Sequence, residues 1–196
     1  MKTLRFGAIA LLAVTVLAGC AADPLAEQYA SGSTQNYISG DGSLTAIAVE
    51  DRGEAVEFTA ETASGATVDS KDFAGEVLVV NFWYAACPPC RVEAPDLEAL
   101  HTEFDGKGAS FLGVNVRDQA DTAATFEAET GITYDSVIDA NDGNMMLAFA
   151  GTVAPNAVPT TLVIDKKGRV AARFLGLIEA PSALRTIIDE TIAEED

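Results

Sequence analysis

Cys87-Pro88-Pro89-Cys90 sets two thiols either side of a proline pair, where an apolar run from Val77 to Trp83 gives way to a helical pattern rich in Glu and Leu. A dithiol at the mouth of a helix is suited to making and breaking one disulfide. The first turn of a helix presents unpaired N–H groups and a partial positive charge, which favour thiolate over thiol at Cys87. Proline at the first helical positions sacrifices nothing, because those N–H groups have no partner within the helix. Cys87 is therefore expected to be the exposed nucleophile and Cys90, a turn further in, the more buried resolving thiol. Cysteines at this spacing can also form half of a zinc site, but a structural site needs four ligands. With three Cys and one His in the chain, no metal is assigned, nor any cofactor. The single histidine, His101, lies eleven residues beyond Cys90, about 16 Å along a helix rising 1.5 Å per residue. That is too far for a base acting on Cys87, and His101 is expected at the core edge beside Leu97 and Phe104.

The third cysteine belongs to a different feature. Lys2 and Arg5 precede an apolar stretch from Phe6 to Val16, followed by Leu17-Ala18-Gly19-Cys20. This is the layout of a signal peptide. Its end resembles a bacterial lipobox, where cleavage before the cysteine accompanies lipidation of its thiol. Residues 1–19 are thus expected to be a lipoprotein signal and Cys20 the lipidation site, holding the protein on the extracytoplasmic face of a bacterial cell membrane. An ordinary secretory signal or a short membrane anchor remains the alternative.

Cleavage there leaves 177 residues, with both remaining thiols in the motif and no structural disulfide available. The removed segment holds two bases and no acid, so the rest carries 10 Lys and Arg against 30 Asp and Glu. A net charge this negative repels nucleic acid and anionic head groups, which excludes nucleic-acid binding. Residues 20–45, rich in Ala, Gly, Ser, Asp and Gln, are expected to be a flexible tether with a coil span of about 27 Å.

From residue 46 to 196 strands and helices alternate. Val56–Thr59 and Ala66–Val68 flank Ser64-Gly65 as a hairpin. Val77–Trp83 and Ser110–Val116 are continuous apolar runs, the mark of central strands covered on both faces. Helices are predicted from Pro88 to about Phe104, with a kink at Pro95, over Thr122–Thr130 and over Asn144–Ala150. Asp135–Asp139 is a short strand candidate. Thr160–Asp165 and Arg169–Phe174 make a second hairpin around Lys166-Lys167-Gly168. A final helix over Pro181–Ala193 carries Leu184, Ile187, Ile188 and Ile192 on one stripe.

Asn81-Phe82-Trp83, Cys87-Pro88-Pro89-Cys90-Arg91, Glu93, Pro95 and Val158-Pro159-Thr160-Thr161 together resemble the TlpA/ResA-type thiol–disulfide oxidoreductases of the thioredoxin superfamily. The resemblance covers roughly residues 46–196. It implies an α/β fold, a thioredoxin-like central mixed β-sheet flanked by helices, with an N-terminal β-hairpin and an inserted helix–strand unit between Val116 and Pro159. It also implies a cis peptide at Pro159, with Val158, Pro159 and Trp83 forming the surface that meets a partner. Pro155 competes for that role but does not directly precede a strand. Thioredoxin has a buried Asp where this chain has Asn81, so proton handling falls to Glu93, which in the family lies under the dithiol. The residue before the first cysteine is commonly Trp in this family and is Ala86 here.

The activity so implied is exchange of electrons with protein thiols and disulfides outside the membrane, often in the reducing direction within the family, apocytochrome c being a notable family substrate. The residues themselves leave both directions open. Electrons would come from a membrane thiol transporter. Two alternatives stand beside it. A thiol peroxidase shares the fold, but its lone reactive cysteine follows a Thr by three residues, and that position is Tyr84 here. A non-catalytic lipoprotein could use such a domain for binding, although both cysteines are retained.

Overall fold

The computed structural model describes residues 43–152 and 157–195. Cys20, the signal segment, the tether as far as residue 42, and Pro155 lie outside the described residues. Eight strands are present among those described: β1 Leu44–Ala46, β2 Thr59–Glu61, β3 Thr67–Asp69, β4 Val77–Trp83, β5 Ala109–Asn115, β6 Ser136–Ile138, β7 Thr160–Ile164 and β8 Val170–Leu175. The α-helices are α1 Pro88–Phe104, α2 Ala120–Thr130, α3 Asn144–Ala148 and α4 Pro181–Ala193.

Six strands form one mixed sheet in the order β1-β8-β7-β4-β5-β6. β4, β5 and β6 run parallel, joined by α1 and α2, while β7 lies antiparallel against β4 and β8 against β7. All seven residues of β4 are buried, because both of its faces are covered. Alternation sends Val77 and Val79 to the face under α1 and α4, where they meet Leu97, Leu100, Phe104, Leu184, Ile187 and Ile188. Leu78, Val80 and Phe82 face the other way, onto Leu112, Val114, Leu162, Met145 and Phe149. α1 runs unbroken through Pro95. Gly131, at φ 79°, ends α2 in the left-handed conformation that glycine adopts without penalty, its N–H donating to the Glu127 carbonyl. No helix among the described residues is long and apolar enough to cross a membrane.

Two boundaries differ from the sequence expectation. The first hairpin strand is Thr59–Glu61, three residues later than Val56–Thr59. Its register is set by the turn, which pairs Glu61 with Thr67 and Thr59 with Asp69. Beyond Asp69 the partner strand leaves the ladder: Asp69 accepts from Lys71 N, Asp72 accepts from Asp69 N, and the chain coils into a short 3-10 turn, Ser70–Phe73. Val56 N donates instead to Gly168 O, in the β7–β8 turn. The domain also starts earlier than residue 46, since Leu44 and Thr45 pair with Phe174 and Arg173 as an edge strand. The polar composition around them masks a strand of three residues.

Candidate active site

The dithiol lies where β4 ends and α1 begins. Cys87 is the N-cap of α1, and Pro88 and Pro89 fill its first positions. Since both prolines lack an N–H, the first available donor of the helix is Cys90 N, and it points at Cys87 Sγ at 3.2 Å. The two sulfurs are bonded at 2.05 Å with Cα atoms 5.3 Å apart. The expectation of an exposed Cys87 is not met in this disulfide form: Cys87 is 1% exposed and Cys90 2%. Both pack with Trp83, Ala94, Ala123 and Phe126, and Tyr84, Ala85 and Val158 close over them. Trp83, assigned to the partner surface from sequence, is 2% exposed and stacks on Phe126 with centroids 4.6 Å apart. It supports the dithiol from beneath and offers no face to a partner. Ala86 is exposed.

Beneath the dithiol, position along β4 maps onto position along α1. Asn81 and Trp83 follow Val77 and Val79 on the face that α1 covers, and α1 runs back over the strand, so Cys90 comes to Trp83 and Glu93 to Asn81. Glu93 is 1% exposed. Its Oε1 accepts from Asn81 Nδ2 at 2.9 Å and its Oε2 from Ile178 N at 3.2 Å. Asn81 Nδ2 also donates to Thr161 Oγ1 at 2.9 Å, tying the carboxyl to β7. Burial pushes the Glu93 carboxyl up to about 7, against the two hydrogen bonds that favour its ionised form. It is therefore a proton-holding group in the neutral pH range, three residues from Cys90 on the same helix face.

β7 enters the site through the Val158–Pro159 peptide, which is cis. Pro159 is buried and its carbonyl accepts from Gly176 N at 2.9 Å. Val158 packs against the cluster that holds Cys87, Cys90 and Trp83. On the opposite side, the loop after β5 clasps the loop before Cys87. Asp118 Oδ2 accepts from Ala85 N at 2.6 Å and from Asn115 Nδ2 at 2.9 Å, and the Arg117 guanidinium lies 4.1 Å over the Tyr84 ring. Arg91 lies 5.3 Å from the Phe126 ring centroid, beside a surface groove of about 320 Å³ lined by Ala85, Arg91, Asp121, Thr122, Thr125, Phe126 and Glu129. Sequence reasoning missed Asp118, Arg117 and Ile178. Each acts across a distance in sequence that only the β4–β5 pairing and the return of the chain toward α4 bring to zero. His101 lies against Phe111 and Tyr134 at ring distances of 5.6 and 5.5 Å, both members of the core cluster that also holds Leu97 and Phe104.

Residues 52–173 match the AhpC/TSA family, a span that holds the dithiol, Glu93 and the Val158–Pro159 peptide. The chain belongs to the AhpC/TSA family. Within this thioredoxin-fold family its relatives are redox proteins acting through thiols. It is 30% identical over 123 residues to thiol–disulfide oxidoreductase ResA of Halalkalibacterium halodurans, covering 63% of this chain and 67% of that one. It is 39% identical over 102 residues to thiol:disulfide interchange protein HelX of Rhodobacter capsulatus, 52% of this chain and 53% of that protein, so the match spans about half of HelX. Among solved structures, a DsbF homologue from Corynebacterium diphtheriae superposes with TM-score 0.69 at 31% identity, covering 80% of this chain and 98% of that one. A secreted thiol-disulfide isomerase from Corynebacterium glutamicum gives TM-score 0.71 at 30% identity, with 82% and 98% covered. This AhpC/TSA member is accordingly a thiol–disulfide oxidoreductase of the ResA/HelX type.

Proposed function

We propose that the protein is a lipid-anchored, extracytoplasmic reductase of protein disulfides, with apocytochrome c among its substrate class and a membrane thiol transporter as its electron donor. The observation that carries the exchange chemistry is the Cys87–Cys90 pair at the start of α1, with the Cys90 N–H aimed at the Cys87 sulfur. That donor and the helix terminus favour a Cys87 thiolate once the bond is reduced. The thiolate attacks one sulfur of a partner disulfide, and the other partner sulfur leaves as thiolate. Cys90 then attacks Cys87 Sγ, which releases the second partner sulfur and regenerates the Cys87–Cys90 disulfide. Two electrons pass to the partner. Glu93 takes the Cys90 proton as that thiol becomes a nucleophile. Val158 and Pro159 form the edge along which an extended partner segment pairs strand-wise. The lipobox-like Leu17-Ala18-Gly19-Cys20 supports the anchor.

Insulin-disulfide reduction by the dithiol-reduced protein, run beside a peroxide-consumption assay, tests the chemistry. The expected result is insulin reduction that needs both cysteines, with no peroxide turnover above the thiol background. Peroxide consumption without insulin reduction would make the protein a peroxidase.

A further inference from the structure

Residues on β4, β5 and β6 build a second polar group beside the dithiol that the exchange chemistry above does not use. Gly113 on β5 pairs with Asn81 on β4 and with Ser136 on β6, so these positions share the face beneath the helices. A Cβ at Gly113 would stand 2.2 Å from Ser136 Oγ and 2.9 Å from Trp83 Nε1. Glycine there is what lets the hydroxyl and the indole N–H converge. Both atoms are buried without a hydrogen-bond partner, and so is Glu127 Oε1 on α2. Ser136 is near enough to Glu127 for its hydroxyl to favour the ionised carboxylate. Three unpaired buried atoms in one place cost more than the small side-chain rotations, or the single bridging water, that would join them. Their chemistry is complementary: an indole N–H only donates, a hydroxyl does both, and a carboxylate only accepts.

We propose that Trp83 Nε1, Ser136 Oγ and the Glu127 carboxyl form one hydrogen-bonded chain that holds the indole against the dithiol and makes its position depend on whether Glu127 carries a proton. With Glu127 ionised, the indole donates to Ser136 and Ser136 donates to the carboxylate. With Glu127 protonated, the carboxyl O–H donates to Ser136 Oγ, which then receives a second donor beside the indole N–H and no longer donates to a charged acceptor, and the hold on the indole changes. Glu127 and Ser136 are positioning residues; they act on the sulfurs through Trp83, which shares their buried cluster. Burial of the half-buried Glu127 lifts its carboxyl above the ordinary glutamate range, with the Asp135 charge adding to the lift. Tyr134, next to Asp135, feels the negative charges of Glu127 and of Glu93 and Glu98 on α1. No cation enters either set of shifts.

The inference rests on the dithiol being the working site, which the insulin assay tests separately. Trp83 is the sole tryptophan of the chain, so intrinsic fluorescence reports this place alone. The full-length protein is titrated from pH 4 to 9 in oxidised and reduced forms, as wild type and as Glu127→Gln, Ser136→Ala and Glu93→Gln. The expected result is an emission transition above the ordinary glutamate range of about 4.3. It should be lost in both Glu127→Gln and Ser136→Ala and kept in Glu93→Gln. The pH profile of Cys87 alkylation should shift in the same two variants. A transition that persists in Glu127→Gln and Ser136→Ala, or that disappears only in Glu93→Gln, overturns the chain even if insulin reduction is intact. Should Glu127→Gln not fold, Ser136→Ala alone decides by the same criterion.

Discussion

Glu93 is held between opposing effects: burial disfavours its charge, and hydrogen bonds from Asn81 and Ile178 favour it. Burial wins, and the carboxyl titrates near 7 in the folded protein against 4.5 unperturbed. The folded state therefore binds more protons than the unfolded one between those values, and stability falls as pH rises through that window. The contribution is fully present below 4.5 and lost above about 7, on the order of 3 kcal/mol in all. Glu93→Gln should flatten this part of the curve in urea denaturation measured from pH 4.5 to 8. Its amide also meets one of the two donors head-on, but that cost does not vary with pH, so only the slope is diagnostic. An unchanged slope would place the titrating group elsewhere. The same variant should slow disulfide exchange more than it alters the denaturation midpoint. The Cys87–Cys90 pair was legible in the sequence because it sits in a short local motif at a strand–helix junction. The cis peptide at Pro159 and the place of Glu93 beneath the dithiol were implied only by the resemblance to the TlpA/ResA-type proteins. The Glu127–Ser136–Trp83 group was not, because its members come from three separate elements that meet only over Gly113.

At the level of elements, sheet pairing and one buried arginine hold the frame of the site. Arg52 donates to Ile47 O, to Asp165 and to Glu194, joining the N-terminal segment to the β7–β8 turn and the end of α4. Its side chain is 4% exposed. Arg52→Ala should lower stability by about 3 kcal/mol, the low end for breaking a buried pair, since Asp165 keeps Arg169. Chemical denaturation reads this directly, and a loss under about 0.5 kcal/mol, the scale of an ordinary surface change, would show the clasp to be ornamental. Gly113→Ala should cost about 3 kcal/mol by overpacking β4, β5 and β6, with part regained in the double variant Gly113→Ala/Ser136→Gly. Additive losses in that double-mutant cycle would mean the two positions do not press on each other. The central strands, α1 and α4 were legible because long apolar runs and stripes report burial on two faces or one. The hairpin register was displaced because it depends on where β3 leaves its ladder, and β1 was hidden because an edge strand of three residues has no pattern to show.

For the whole molecule, a net charge of −18 opposes attachment to anionic surfaces, and the proposed hold on a membrane is the lipid on Cys20. Cys20→Ser should move the protein from the membrane fraction to the medium, or leave it uncleaved. An intact mass showing an unlipidated Cys20 in membrane-associated wild type would rule the lipid anchor out. The two sulfurs divide the labour of exchange between them, and trapping tests that division most directly. With Cys90→Ser the resolving step is lost, so Cys87 should accumulate mixed disulfides with envelope proteins, resolved by non-reducing electrophoresis and identified by mass spectrometry. Cys87→Ser should trap none. Adducts formed on Cys90 in Cys87→Ser, with none in Cys90→Ser, would contradict the assignment of Cys87 as the attacking thiol and of the helix terminus as the source of its reactivity.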